Sequence, residues 1–281
     1  MYSAVLTLLH PAKFAVVCKN NNGESFTTDA HVHNLQYLLN EAEKEYEQNT
    51  GHVAANITLD AKAKNPQYDI PTGTIVMQFH EKFSAVRYIW DWAHEHAHHE
   101  QSNQYNSNIN FTMAQISREF YPTPPLNWLR QPKPAYIGNY NEIIARTASL
   151  STLTKACWEL TTQDDFTITH REQILPELRE CQAQALEYQK RFSLSAMTEF
   201  NKTQLAHYKP EDALYIDMPA ADVCTFLQQH GNKCYIQAFG DFQKAIREFS
   251  SIIKYLENEI TKSQSAQQEK YDETLDEIET R

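Results

Sequence analysis

The chain predicts an α+β fold: a small N-terminal mixed sheet with two helices, followed by a mainly helical half ending in a β-α-β-α unit. Three observations lead there. Short runs rich in β-branched residues, Val53 to Leu59 and Thr74 to Phe79, lie in the N-terminal part, and such side chains suit a pleated, half-buried surface. From Asn141 onward apolar residues recur every three or four positions, the helical period. Near the end, two short apolar runs, Leu214 to Asp217 and Cys234 to Phe239, flank a helical pattern.

The elements follow in order. Residues 2–9 and 13–19 alternate or run apolar around His10-Pro11-Ala12, which reads as a β-hairpin. Asn20 to Gly23 is a loop. Val32, Leu35, Leu38, Leu39, Ala42 and Tyr46 give a helix over 30–47, with Gly51 beyond its end. Strands at 53–59 and 74–79 enclose a loop from Pro66 to Pro71. A helix over 82–100 puts Phe83, Val86, Trp90, Ala93 and Ala97 on one face. The polar stretch 101–110 is a loop, and Phe111 to Phe120 fits helix or strand equally. Pro122, Pro124, Pro125, Pro132 and Pro134 make 121–135 an extended connector, because proline removes donors and fixes φ.

In the second half, Ile143, Thr147, Leu150, Leu153, Cys157 and Leu160 predict a helix over 141–160. Thr169-x-x-Glu172 is a capping box opening another helix that runs to about Phe192. Pro176 either kinks it or marks a later first turn. Pro219 and Gly231 bracket a further helix, proline suiting a first turn and glycine an exit. Phe242, Ala245, Phe249, Ile252, Leu256 and Ile260 mark the last one. From Lys262 the chain turns polar and acidic, which reads as a flexible tail. The expected organisation is an α+β lobe (1–120), the connector (121–135), a mainly helical lobe (136–261) and the tail (262–281).

Composition excludes several functions. The formal net charge of −11 over 281 residues repels phosphate backbones, so general nucleic-acid binding is disfavoured. No apolar window is long enough to span a bilayer. The start lacks a basic leader, so no secretory signal is expected. The five cysteines (Cys18, Cys157, Cys181, Cys224, Cys234) are odd in number and far apart, as in a reducing, cytoplasmic compartment. With six glycines there is no glycine-rich phosphate loop, and no Gly-x-Ser-x-Gly elbow occurs.

One stretch carries a chemistry. His94-Glu95-His96-Ala97-His98 lies in the predicted helix over 82–100. Residues four apart stack on one side of a helix, so His94 and His98 can share one ion. Both fall on the shoulder of the apolar stripe, with Asp91 one turn earlier, whereas Trp92, His96 and His99 point elsewhere. This His-Glu-x-x-His segment resembles the zincin metallohydrolases. The resemblance implies that His94 and His98 bind zinc and that Glu95 is the general base. In that superfamily a helix and a small sheet precede the motif helix, as the element order here also does. The sequence departs from it after the second histidine, where His99 and Glu100 replace apolar residues. The metzincin extension is absent. In the gluzincin branch a glutamate on a later helix completes the site. Glu119 stands near that spacing, though Pro122 follows and Thr123 replaces an acid. Glu142 is a second candidate, on a more regular helix.

Two functions are therefore expected in parallel. One is a zinc-dependent, peptidase-like hydrolase with His94, His98 and Glu119 as ligands and Glu95 as base. The other is a non-enzymatic acidic interaction protein, or a subunit of a larger complex, with no metal. The first implies a peptide substrate, the second a protein partner.

Overall fold

The computed structural model describes residues 2–18, 28–80, 82–102, 112–113, 116, 140–191 and 220–279. Two short helices open the chain, α1 (Ser3–Leu9) and α2 (Pro11–Cys18). The expected hairpin is thus a helical pair. Ala4, Val5, Leu8 and Leu9 are the buried residues of α1, a helical rather than an alternating spacing. Pro11 begins α2, where its missing N–H costs nothing. A short apolar run does not by itself separate strand from helix, and here burial chose the helix.

Next comes α3 (Thr28–Thr50), longer at both ends than its apolar spacing indicated. Gly51 follows at φ 72° and donates its N–H to the Glu47 carbonyl at 2.8 Å. That left-handed exit stops the helix, and a side chain there would be strained.

Three strands form the sheet: β1 (Asn56–Asp60), β2 (Gln67–Asp69) and β3 (Thr74–Gln78). Their order is β1-β3-β2. β1 runs parallel to β3 with Asn56 opposite Thr74, and β2 runs antiparallel to β3 with Tyr68 opposite Ile75. The sheet is mixed, as expected. β2 lies in the segment read as a loop; its prolines, Pro66 and Pro71, flank the strand, where they forfeit no ladder bond. Ile57, Leu59, Ile75 and Met77 are buried on the core side.

The free edge of β1 is closed by helix side chains. The N–H groups of Ala55, Ile57 and Leu59 donate to Glu43 Oε2 (3.0 Å), Asn40 Oδ1 (3.2 Å) and Gln36 Oε1 (3.2 Å) of α3. Alternate strand residues are thus matched to positions on successive turns of the helix. This satisfies donors that an edge strand otherwise leaves open.

The motif helix, α4 (Ala85–Ser102), packs against α1, β2 and β3, and also on α5 (Tyr140–Leu160). α5 in turn packs on α8 (Asn232–Glu279), which packs on α6 (Ile168–Arg191). Pro176 sits inside α6, so the helix starts before it and continues past it. A single cluster of buried apolar residues extends from Ala4 to Ile260.

The terminal β-α-β-α unit is corrected. Cys234 to Phe239, read as a strand, belongs to α8, with Cys234, Tyr235, Ala238 and Phe242 buried at helical spacing. Gly231 does not end a helix either. α7 (Ala220–Phe226) passes through a π-helical turn, Leu227–Gly231, directly into α8. α8 then runs to Glu279 through the segment read as a tail, whose residues 264–272 are exposed. The expected strand at 214–217 and the connector at 121–135 lie outside the described residues. The α+β class stands: a small mixed sheet beside a mostly helical body.

Candidate metal centre

The four histidines of α4 divide between two faces, and each face has its own buried acid. On the first, Glu43 of α3 is 1% exposed. It accepts from the Trp92 indole N–H at 2.8 Å, from His96 Nδ1–H at 2.7 Å and from the Ala55 N–H at 3.0 Å. Burial raises the carboxyl pKa, but these donors, His96 first, bring it below its ordinary value. Burial likewise opposes charge on His96, and Glu43 overturns this, holding the imidazole above its ordinary value. His99 lies nearby, between Tyr68 Oη at 3.2 Å and the Val53 carbonyl at 2.8 Å. Its Nε2 must be the donor to that carbonyl. Burial pushes its pKa down, so the neutral ring accepts from Tyr68. His96 and His99 thus fasten α4 to α3 and to the sheet, with every contact at hydrogen-bond length.

The second face turns to α5. His94 Nε2 lies 3.3 Å from Glu142 Oε2, and His98 Nε2 lies 3.4 Å from Glu142 Oε1. The three side chains are 12%, 16% and 5% exposed. One ligand atom from each falls within 4.8 Å of the others. The imidazole rings stand almost perpendicular, 84° apart, with centroids 4.9 Å from one another. Among the described residues this is the group of histidine, cysteine and acidic side chains that converges tightly enough for one ion.

Supporting groups fix this geometry. Gln101, one turn beyond His98, takes its Nδ1–H on Oε1 at 3.0 Å and donates its own amide to the Asn141 carbonyl at 3.2 Å. This leaves His98 Nε2 facing Glu142 and ties α4 to the first turn of α5. Such an outer hydrogen bond sets the tautomer and raises the basicity of the facing nitrogen. Ser149 Oγ–H bonds the Trp90 carbonyl at 2.9 Å, clamping the same two helices further along.

Glu142 and the histidines beside it are electrostatically coupled. Burial raises the Glu142 pKa, yet His94 and then His98 pull it well below the ordinary value. Burial opposes charge on His98, but Glu142, Glu95 and Gln101 raise its pKa. A buried carboxylate is tolerated only when paired or coordinating. Glu142 Oε2, however, forms no well-aligned hydrogen bond. Charge-assisted N–H···O bonds normally close to about 2.7–2.9 Å, so contacts of 3.3 and 3.4 Å are long for such bonds. Ligands about 2.0–2.1 Å from a tetrahedral ion lie about 3.3–3.4 Å from each other, and each of the two contacts, one per carboxylate oxygen, has that length.

Glu95, the residue between the two histidines, is 6% exposed. Burial raises its pKa; His94 and His98 oppose this, Glu142 adds to it, and the Tyr68 N–H bonded to its carboxylate lowers it. It stands electrostatically beside the cluster without being one of the three converging groups. Asp91, placed one turn before His94 from the sequence, pairs with Arg87 Nε at 2.8 Å on the same helix.

His94 and His98 therefore meet a shared acid, and that acid is Glu142. Glu119 lies outside the described residues. The supports Gln101, Tyr68 and Glu43 were not anticipated. Gln101 alone carried a signal, its place one turn past a motif histidine; the other two come from distant elements. Among the described residues no helix is long and apolar enough to cross a membrane. No protein-family model, curated protein or solved structure matches the chain.

Proposed function

We propose that His94, His98 and Glu142 bind a zinc ion and that the chain is a metal-dependent hydrolase acting on peptide bonds. The carrying observation is the buried carboxylate whose oxygens stand at ligand-edge separation from two imidazole nitrogens. Two imidazoles and one carboxylate are the protein ligands of a catalytic zinc site, which keeps a fourth position open. A zinc ion in such a site polarises a carbonyl and acidifies water.

The chain's residues supply the rest. Glu142 neutralises part of the ion's charge from α5, while Gln101 holds His98 in the tautomer that presents Nε2. Glu95 is the general base. Its burial pushes its pKa upward, against the pull of His94 and His98, and a buried carboxylate beside the ion is the kind of group that accepts a proton from bound water. The peptide preference rests on the His-Glu-x-x-His resemblance.

The test is metal content followed by activity. Native protein should carry about one zinc per chain by mass spectrometry. His94→Gln, His98→Gln and Glu142→Gln should each lose it. Glu95→Gln should keep the metal and lose hydrolysis of a mixed peptide library. A wild-type protein that takes up no zinc from micromolar solution makes the cluster an internal ion pair between α4 and α5, and the proposal fails.

A further inference from the structure

A second pair of chemically active side chains lies away from the metal centre. Cys18 ends α2, and its Sγ is 3.0 Å from His31 Nε2 on α3. His31 is 8% exposed. Its ring is held edge to face by Phe79, with centroids 5.2 Å apart, and by Phe14 at 6.3 Å. Asn34 Nδ2–H bonds the Val17 carbonyl, fixing the last turn of α2 against α3. The thiol and the imidazole are therefore held in contact by groups on both helices.

We propose that Cys18 and His31 form a nucleophilic dyad, making Cys18 a modification site for hydroperoxides and soft electrophiles. His31 Nε2 takes the thiol proton, leaving a thiolate beside an imidazolium. With a hydroperoxide, the thiolate sulfur bonds the distal oxygen and the O–O bond breaks. Sulfur is oxidised by two electrons to a sulfenic acid, and the departing hydroxide or alkoxide takes the imidazolium proton. With an alkyl halide the S–C bond forms as the halide leaves.

Two further features support the assignment. The thiols of Cys157, Cys181 and Cys234 are buried, and burial pushes all three up, the first two to about 12. Cys18 is only half-buried. Tyr88 of α4 also faces this thiol, but its phenol, pushed up to about 12 chiefly by burial, stays neutral. One effect opposes the dyad. A helix C-terminus disfavours a thiolate, by about twofold to thirtyfold in ionisation, whereas a contacting imidazolium lowers thiol pKa by one to several units.

The experiment is site-resolved alkylation by iodoacetamide from pH 6.5 to 8.5, read by mass spectrometry on the full-length protein. An ordinary thiol is about 1% ionised at pH 6.5 and half ionised at 8.5, so its rate rises about fiftyfold. Cys18 should change less than threefold, and hydrogen peroxide should leave a dimedone-trappable adduct there rather than at Cys157, Cys181 or Cys234. His31→Gln should restore the fiftyfold rise. As a check that needs no His31 variant, wild type minus Cys18→Ser should show thiolate absorbance at 240 nm at pH 6.5. A fiftyfold rise for Cys18 in wild type, an unchanged profile in folded His31→Gln, no 240 nm difference, or peroxide adducts on the buried cysteines alone would each overturn the dyad.

Discussion

Replacing Glu43 tests whether the frame beneath the motif helix is as tightly built as its geometry states. The carboxylate takes three donors from two other elements: the Trp92 indole and His96 on α4, and the Ala55 amide just before β1. In Glu43→Ala all three lose their acceptor in a site that is 1% exposed. A buried donor left unsatisfied costs about 1–3 kcal/mol. His96 escapes part of this, because without Glu43 its pKa falls and the ring becomes neutral. The sum is about 3–5 kcal/mol. At about 2–4 °C per kcal/mol for a chain of this size, the melting temperature should drop by roughly 6–20 °C. Glu43→Gln keeps one acceptor oxygen but turns an amide N–H toward a donor, so it should cost about 1–3 kcal/mol, less than alanine. Urea denaturation measures both values. Native-state hydrogen exchange should report the Ala55 amide as protected in wild type and exposed in the alanine variant. A loss below about 1 kcal/mol in Glu43→Ala, or a glutamine variant weaker than the alanine one, would falsify the network.

Other outcomes follow from single sites. Burial pushes the Asp91 carboxyl up to about 6, against an opposing pull from Arg87. The folded state then holds a proton that the unfolded chain has released, so stability falls as pH rises from about 4 to about 6 and stays lower above. The shift corresponds to about 3 kcal/mol, and Asp91→Asn, which gives up a half-exposed Arg87 pair, should gain about 1–2 kcal/mol at pH 7.5 and little at pH 4. A flat difference between the two proteins across pH 4–7.5 contradicts this. Zinc at a hundredfold excess over its dissociation constant should stabilise wild type by about 2.7 kcal/mol. Chelator should reverse that gain, and Glu142→Gln should show none. Pro176 occupies a helix interior, where it forfeits a bond to the Glu172 carbonyl; Pro176→Ala should add about 1–3 kcal/mol, and a destabilised variant would show that α6 depends on a local bend.

The sequence was most legible where one period ran long enough to stand alone. α3, α4 and α5 have stripes of apolar residues over several turns, and each lies within a few residues of its expected bounds. β1 and β3 were legible because β-branched residues cluster between turn signals. Errors came where the run was short. Ser3 to Leu9 and Cys234 to Phe239 are apolar stretches of a length that suits strand or helix. Each is helical because its neighbours bury one stripe of it: α1 lies against α3, and the first turns of α8 against α5. That information is tertiary and absent from a local window. Gly231 misled for a related reason. It carries the usual sign of a helix end, but here it is buried in a π-helical turn, where a Cβ would come within 3.3 Å of Leu227 Cδ2. The candidate site was half legible. His94 and His98 declare themselves by spacing; Glu142 was one of two candidate acids, and its approach to them depends on α4 packing against α5.

The two buried glutamates around α4 separate frame from site. Both lie against histidines of one helix, and neither is more than 5% exposed. Glu43 has both oxygens bonded, by three donors at 2.7–3.0 Å. Glu142 is equally dry, but its histidine contacts are longer by about half an ångström and one oxygen lacks a hydrogen bond. This is also the face whose histidines are four residues apart, one of them pinned by Gln101 with Nε2 turned inward. Two nitrogens and a carboxylate thus converge on one side of α4, and the proposed zinc site rests on that convergence.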